Sequence, residues 1–140
     1  MTMREVELCR IIRSDNSPEC HMYLREREGG RVFPIVIHQN EMAEIHRKLH
    51  GIRMRRPMTH DLFRAFSEKA GFNLASVEVT QLRDEVFYAR MNFESEDGRT
   101  FSLDARPSDA VAIATGQATQ LFADETILEE IGVVEDDAPE

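Results

Sequence analysis

The sequence predicts an α+β domain: two β3α2 repeats sharing one antiparallel or mixed, barrel-like sheet, with helices packed against it. Three observations carry this. Shifting the chain by 68 residues lays GRVFPIVIHQNEMAEI (Gly30–Ile45) on GRTFSLDARPSDAVAI (Gly98–Ile113) without a gap, and Gly30/Gly98, Arg31/Arg99, Phe33/Phe101 and Ile45/Ile113 are identical. Runs of period-two hydrophobicity flank glycine turns in both halves. Apolar stripes at helical spacing then follow, each preceded by a capping residue and closed by glycine.

The elements follow in order. Strands are expected at Val6–Ile12 and Met22–Arg27, then after the Gly29-Gly30 turn, where Phe33, Ile35 and Ile37 alternate and Val36 marks deeper burial. Asn40 is the expected N-cap of a first helix with Met42, Ile45 and Leu49 on one face and Gly51 at its end. Thr59 is expected to cap a second, with Leu62, Phe63, Phe66 and Ala70 as its apolar face. The second half repeats the order. A strand at Leu74–Leu82 precedes one in which Phe87, Ala89, Met91 and Phe93 alternate with polar residues. Asp97-Gly98 then makes a hairpin, because both residues tolerate positive φ. Phe101, Leu103 and Ala105 continue the sheet, Ser108 caps a helix ending at Gly116, TQLFA adds a short strand, and Asp124 caps the last helix. The domain spans 1–133, with repeats at about 4–71 and 72–133, and an acidic disordered tail at 134–140.

Composition narrows the function. The chain of 140 residues carries a net charge of −9, which opposes indiscriminate binding to nucleic acid. The positive charge is concentrated, however. From Ile45 to His60 there is no carboxylate, but five of the 17 Lys and Arg and three of the five His lie there. Two cysteines in a chain able to bury a core are expected as reduced thiols, and no apolar run suits a signal peptide or membrane span. The expected compartment is therefore the cytoplasm, without membrane association.

Two segments sit just ahead of helices at equivalent places: RRPMTHDLF (Arg55–Phe63) and LDARPSDAVAIA (Leu103–Ala114). Each has Arg-Pro, a hydroxyl residue and Asp. The plainer explanation is helix capping, with Asp favoured by the helix dipole, or an Arg–Asp network tying the repeats together. A cap does not need Arg, His and several carboxylates together. Asp104 and Asp109 approach one another if the helix folds back. With Asp61 and Glu41 they are then candidate ligands for a hard divalent cation, Mg²⁺ or Mn²⁺. His60, Asp61, Asp104 and Asp109 are the candidate acid–base groups. Arg53, Arg55, Arg56 and Arg106, with Thr59 and Ser108, are the candidate substrate contacts, since guanidinium groups suit phosphate oxygens.

FPIVIHQNEMAEI, RPMTHDLF, FYARMNFE and DARPSDAVAIA, in this order and spacing, resemble the bifunctional nuclease family. The resemblance covers roughly Val6 to Val133. It implies a small α/β domain and nuclease activity on DNA and RNA, in a family found in bacteria and plants. The matching polar positions are Glu41, Arg56, Thr59, His60, Asp61, Asp104, Arg106, Ser108 and Asp109. His38 stands where Gly is common, Gln120 where Pro is common, and Gly116 where Arg is common. The missing Arg would weaken a phosphate contact. The alternative function is a non-enzymatic oligomeric binding or regulatory module whose Arg-Pro/Asp motifs are structural. A homodimer or higher homo-oligomer is expected in either case, because sheet edges need protection.

Overall fold

The computed structural model describes residues 2–135. Its elements are β1 (Met3–Arg13), β2 (Glu19–Glu26), β3 (Arg31–His38), α1 (Gln39–Leu49), α2 (Thr59–Lys69), β4 (Asn73–Arg83), β5 (Val86–Glu94), β6 (Thr100–Ala105), α3 (Pro107–Ala114), β7 (Gln120–Asp124), α4 (Glu125–Ile131) and β8 (Val133–Val134). The expected α+β class holds. All the strands form one mixed sheet in the order β6-β5-β4-β7-β1-β2-β3-β8. The sheet is open rather than barrel-like, with β6 and β8 as its edges. Val134, expected in the tail, instead pairs with Arg31, while residues 136–140 of the expected tail lie outside the described residues.

The halves of the sheet meet through β7. It runs parallel to β4 and antiparallel to β1, so the first strands of the two halves do not pair directly. Strand alternation buries Cys20, Met22 and Leu24 on β2 and Phe33, Ile35 and Ile37 on β3, while Val36, expected to mark deeper burial, points out of the core and is 52% exposed. On β5 it buries Ala89, Met91 and Phe93. These side chains form two adjoining apolar clusters, and α3 supplies residues to both.

Helix α3 is the central helix. Every residue in it except Asp109 is buried. Ala110, Ala112 and Ala114 let it approach its neighbours closely, while Val111 and Ile113 fill the core; full burial of such a branched side chain contributes about 1.5–3 kcal/mol. Pro107 starts it, where the missing N–H costs nothing.

The expected caps are only partly found. Asp124 caps α4, accepting from the Thr126 N–H. Asn40, Thr59 and Ser108 lie inside their helices, and the N-cap positions are His38, Met58 and Arg106. At α2 the Asp61 carboxylate reaches back to accept from the Met58 N–H at 3.0 Å, which replaces the expected Thr59 cap. The apolar face expected to bury α2 does not do so: Leu62 is 62% and Phe66 75% exposed, and no residue of that helix is buried. Hydrophobic spacing marks an amphipathic face without saying what covers it. No described helix is long and apolar enough to cross a membrane.

Candidate active site

The site is built where α1, α2 and α3 converge. Asp109 is in the first turn of α3 and is its one residue that is not buried. Its Oδ1 lies 3.0 Å from His60 Nε2 on α2. Its Oδ2 accepts from Arg106 Nε at 2.9 Å, and Arg106 Nη2 is 2.8 Å away. Behind His60, Glu44 of α1 places Oε1 3.9 Å from the ring Nδ1, which is buried and has no hydrogen-bond partner among the described residues. Glu41, one turn earlier, has a buried Oε1 3.9 Å from Arg106 Nη1 and likewise unpartnered.

The seam continues on the other side of Glu44. Arg47 donates to Glu44 through Nε and Nη2, both at 3.1 Å, to Asp61 Oδ2 at 2.8 Å and to the Ile52 carbonyl at 2.9 Å. Lys48 Nζ is 3.4 Å from Asp61 Oδ1. Arg64 on α2 donates to the Ile113 carbonyl near the far end of α3 at 3.0 Å. One polar network therefore ties both halves of the chain together along α3.

The charges are mutually supporting. Burial pushes the Asp109 carboxyl up, but the bonds from His60 and Arg106 outweigh it and hold its pKa below the usual carboxylate value. Burial likewise raises Asp61, and the Met58 N–H, Arg47 and Lys48 overcome that and lower it. Burial pushes Lys48 down against the attraction of Asp61. Both aspartates are thus ionised acceptors. The least covered member is Arg106, whose side chain is 63% exposed, against 32% for Asp109 and 15% for His60.

Two clefts flank the seam. One, of about 290 Å³, lies between α1, α2 and the end of α3 and includes Arg47, Lys48, Arg53, Asp61, Arg64 and Gly116. The other, of about 260 Å³, lies on the Arg106 side against β3 and the β4–β5 turn, with Glu41 and Ser108 in its wall.

The structure brings His60, Asp109 and Arg106 together, with Glu41 nearby, and sets Asp61 at the far end of the same seam. Ser108 is buried in the second α3 position. Arg53 lines the first cleft, whereas Arg55, Arg56 and Thr59 are exposed and make no ion pair or side-chain hydrogen bond with another described residue. Asp104 is not brought in. It pairs across with Arg90, and alternation puts both on the sheet face opposite Leu103, Met91 and α3. The four carboxylates expected as metal ligands therefore do not fit a single cation. Asp104 faces the other way, Asp61 is held by Arg47 and Lys48, and Asp109 is held by Arg106 and His60. Among the described residues no group of three or more His, Cys, Asp or Glu side chains is placed to hold a metal ion.

Sequence reasoning placed none of Glu44, Arg47 and Arg64 among the candidate site residues, although the Arg47 side chain is only 13% exposed. Glu41, Glu44 and Lys48 recur at helical spacing on the face that also carries buried Ile45. Charge on a buried stripe is the signal that marks a site-facing helix.

Comparison with known proteins bears on the same residues. The family model for the bifunctional nuclease domain matches residues 22–136. An uncharacterized protein of Mycobacterium tuberculosis is 35% identical over 125 residues, covering 89% of this chain and 73% of its own. The protein named Bifunctional nuclease 1 in Oryza sativa subsp. japonica is 27% identical over 109 residues, covering 75% of this chain but 33% of the rice protein. The Arabidopsis thaliana protein of the same name is 27% identical over 104 residues, covering 71% of this chain and 32% of its own. The domain match spans most of the chain, including α1, α2 and α3, and the chain belongs to the bifunctional nuclease family.

Proposed function

We propose that this protein is a nuclease that hydrolyses phosphodiester bonds of DNA and RNA at the Arg106–Asp109–His60 cluster. One observation carries the reading: an ionised carboxylate lies at the surface between an imidazole and a largely exposed guanidinium. In this reading Arg106 swings from Asp109 onto the non-bridging phosphate oxygens and balances the charge that builds in the transition state. Asp109 then accepts a proton from the attacking water, the P–O bond to the leaving sugar oxygen breaks, and that oxygen takes up a proton from Asp109 or solvent. His60 Nε2 holds the carboxylate in place across the 3.0 Å contact, and Glu44 backs the ring. Arg53, Arg55 and Arg56, exposed in the segment leading to His60, draw the strand in by charge despite the acidic total. Asp104 takes no part. The same reading places the protein in the cytoplasm, where Cys9 and buried Cys20 remain free thiols.

A specific observation favours a second reading, that of a non-enzymatic binding module. His60 Nδ1 is buried, and the charged groups of the seam are largely paired, as in a structural tie between helices. Single- and double-stranded DNA and RNA incubated with purified protein, with and without EDTA, separate the two. The nuclease reading expects cleavage that Asp109→Ala abolishes and Asp104→Ala leaves intact. Absence of cleavage of all four substrates, or cleavage unchanged in Asp109→Ala, leaves the module.

A further inference from the structure

The face made by α2 and the β6 edge leaves a run of large apolar side chains uncovered. Met58 at the N-cap of α2 and Leu62 and Phe66 within it stand about one turn apart, exposed by 39%, 62% and 75%. Phe63, 37% exposed, carries the stripe across to the sheet, its ring 6.2 Å from Phe93. Phe93 stacks on Phe101 of β6 at 4.9 Å, and Phe101 and Leu103 are 40% and 39% exposed on the same face. The patch is therefore continuous from the outer side of the helix to the sheet edge.

β6 is also an unguarded edge. Its register with β5 is uninterrupted, with no bulge to twist it away. It contains no proline or lysine, and its single charge, Asp104, lies on the opposite face. The other end of the sheet is managed differently: β3 carries Pro34, which has no N–H to offer, and β8 covers part of it.

We propose that this face binds a second copy of the chain, the two β6 strands pairing antiparallel about a two-fold axis while the α2 stripes close over the joint. Self-pairing fits β6 because a two-fold register centred on Ser102 or on Leu103 keeps Phe101 and Leu103 of both copies on the helix side. The six exposed side chains present on the order of 500 Å² of apolar surface, taking each aromatic ring at 150–250 Å². With the strand backbone added, that approaches the roughly 800 Å² per partner of a stable interface. The six side chains are uncharged, so pairing them buries no like charges against one another, and the net charge of −9 acts only from outside the patch. β6 runs directly into Arg106, and Met58 lies two residues before His60, so the joint passes beside the candidate site of both copies.

Sedimentation velocity on the full chain tests this. Wild type is expected at twice 16.1 kDa. Leu62→Glu/Phe66→Glu should sediment at 16.1 kDa with an unchanged far-UV spectrum, its dissociation constant raised by roughly 100-fold or more, as for loss of interface hot spots. Val36→Glu, at an exposed apolar position on β3, should stay dimeric. Hydrogen exchange of wild type gives an independent readout: β6 amides should be protected, and the protection should fall on dilution. A wild type that is monomeric at its highest soluble concentration overturns the proposal. So does an assembly of any size that survives the double substitution, or β6 exchange that ignores concentration.

Discussion

Replacing Asp109 by Asn keeps the side-chain shape and removes the charge on which the cluster is centred. In the wild type Oδ1 meets His60 at 3.0 Å in a mostly covered setting, and Oδ2 meets Arg106, which is 63% exposed. A hydrogen bond to a charged group contributes about 1.5–3 kcal/mol, whereas an exposed ion pair contributes about 0–1 kcal/mol. The His60 contact therefore dominates, and the variant should lose about 2–3 kcal/mol. At about 2–4 °C per kcal/mol, the melting temperature should drop by about 4–12 °C without loss of the folded state at room temperature. The effect on turnover is separate. Removing a positioned general base slows catalysis by about 10²–10⁴-fold. A fluorogenic oligonucleotide assay at saturating substrate, run beside a thermal melt, reads both. A lower melting temperature with wild-type turnover would refute the mechanism and make the cluster a structural brace.

Other expectations follow from different features. Asp61 and Asp109 both have folded pKa values below their unfolded ones, so the stability they contribute is fully present above about pH 4 and is lost as pH falls through the folded values; acid titration of Asp109→Asn by circular dichroism should show a shallower loss than wild type. The β4–β5 turn holds Asp84 and Glu85 at φ of 51° and 64°, a conformation costing an L-residue about 1–2 kcal/mol. Glu85→Gly should therefore raise stability by about 1 kcal/mol in urea titration. Gly132 has ordinary φ, but a Cβ there would run into the Leu128 carbonyl and crowd Arg31, so Gly132→Ala should cost about 1–3 kcal/mol by thermal melt.

Legibility from sequence followed the range of the interaction. Strands around Gly29-Gly30 and Asp97-Gly98 were readable because alternation and turn chemistry are local. The caps were less so, because Asp61 accepts from the Met58 N–H, a choice that Thr59 beside it does not reveal. Alternation in β6 already separated Asp104 from Leu103. What sequence did not tell was that α3 would pack on Leu103's side, leaving Asp104 behind the sheet. Arg47 did not stand out because one of its partners, Asp61, comes from α2, whereas Arg47 and Glu44 are on α1. The His60–Asp109 contact spans 49 residues and exists only through tertiary packing.

β7 has a consequence for how the molecule comes into being. A strand made after residue 119 is the rivet between the block of β1, β2 and β3 and the block of β4, β5 and β6, which ends at Ala105. During synthesis the amino-terminal block emerges with its arginines and His60 while the piece that will join it to the other block is still missing. Such late, distant closure makes for slow assembly. A chain cut short before residue 120 should hold two sheet fragments with a gap between them.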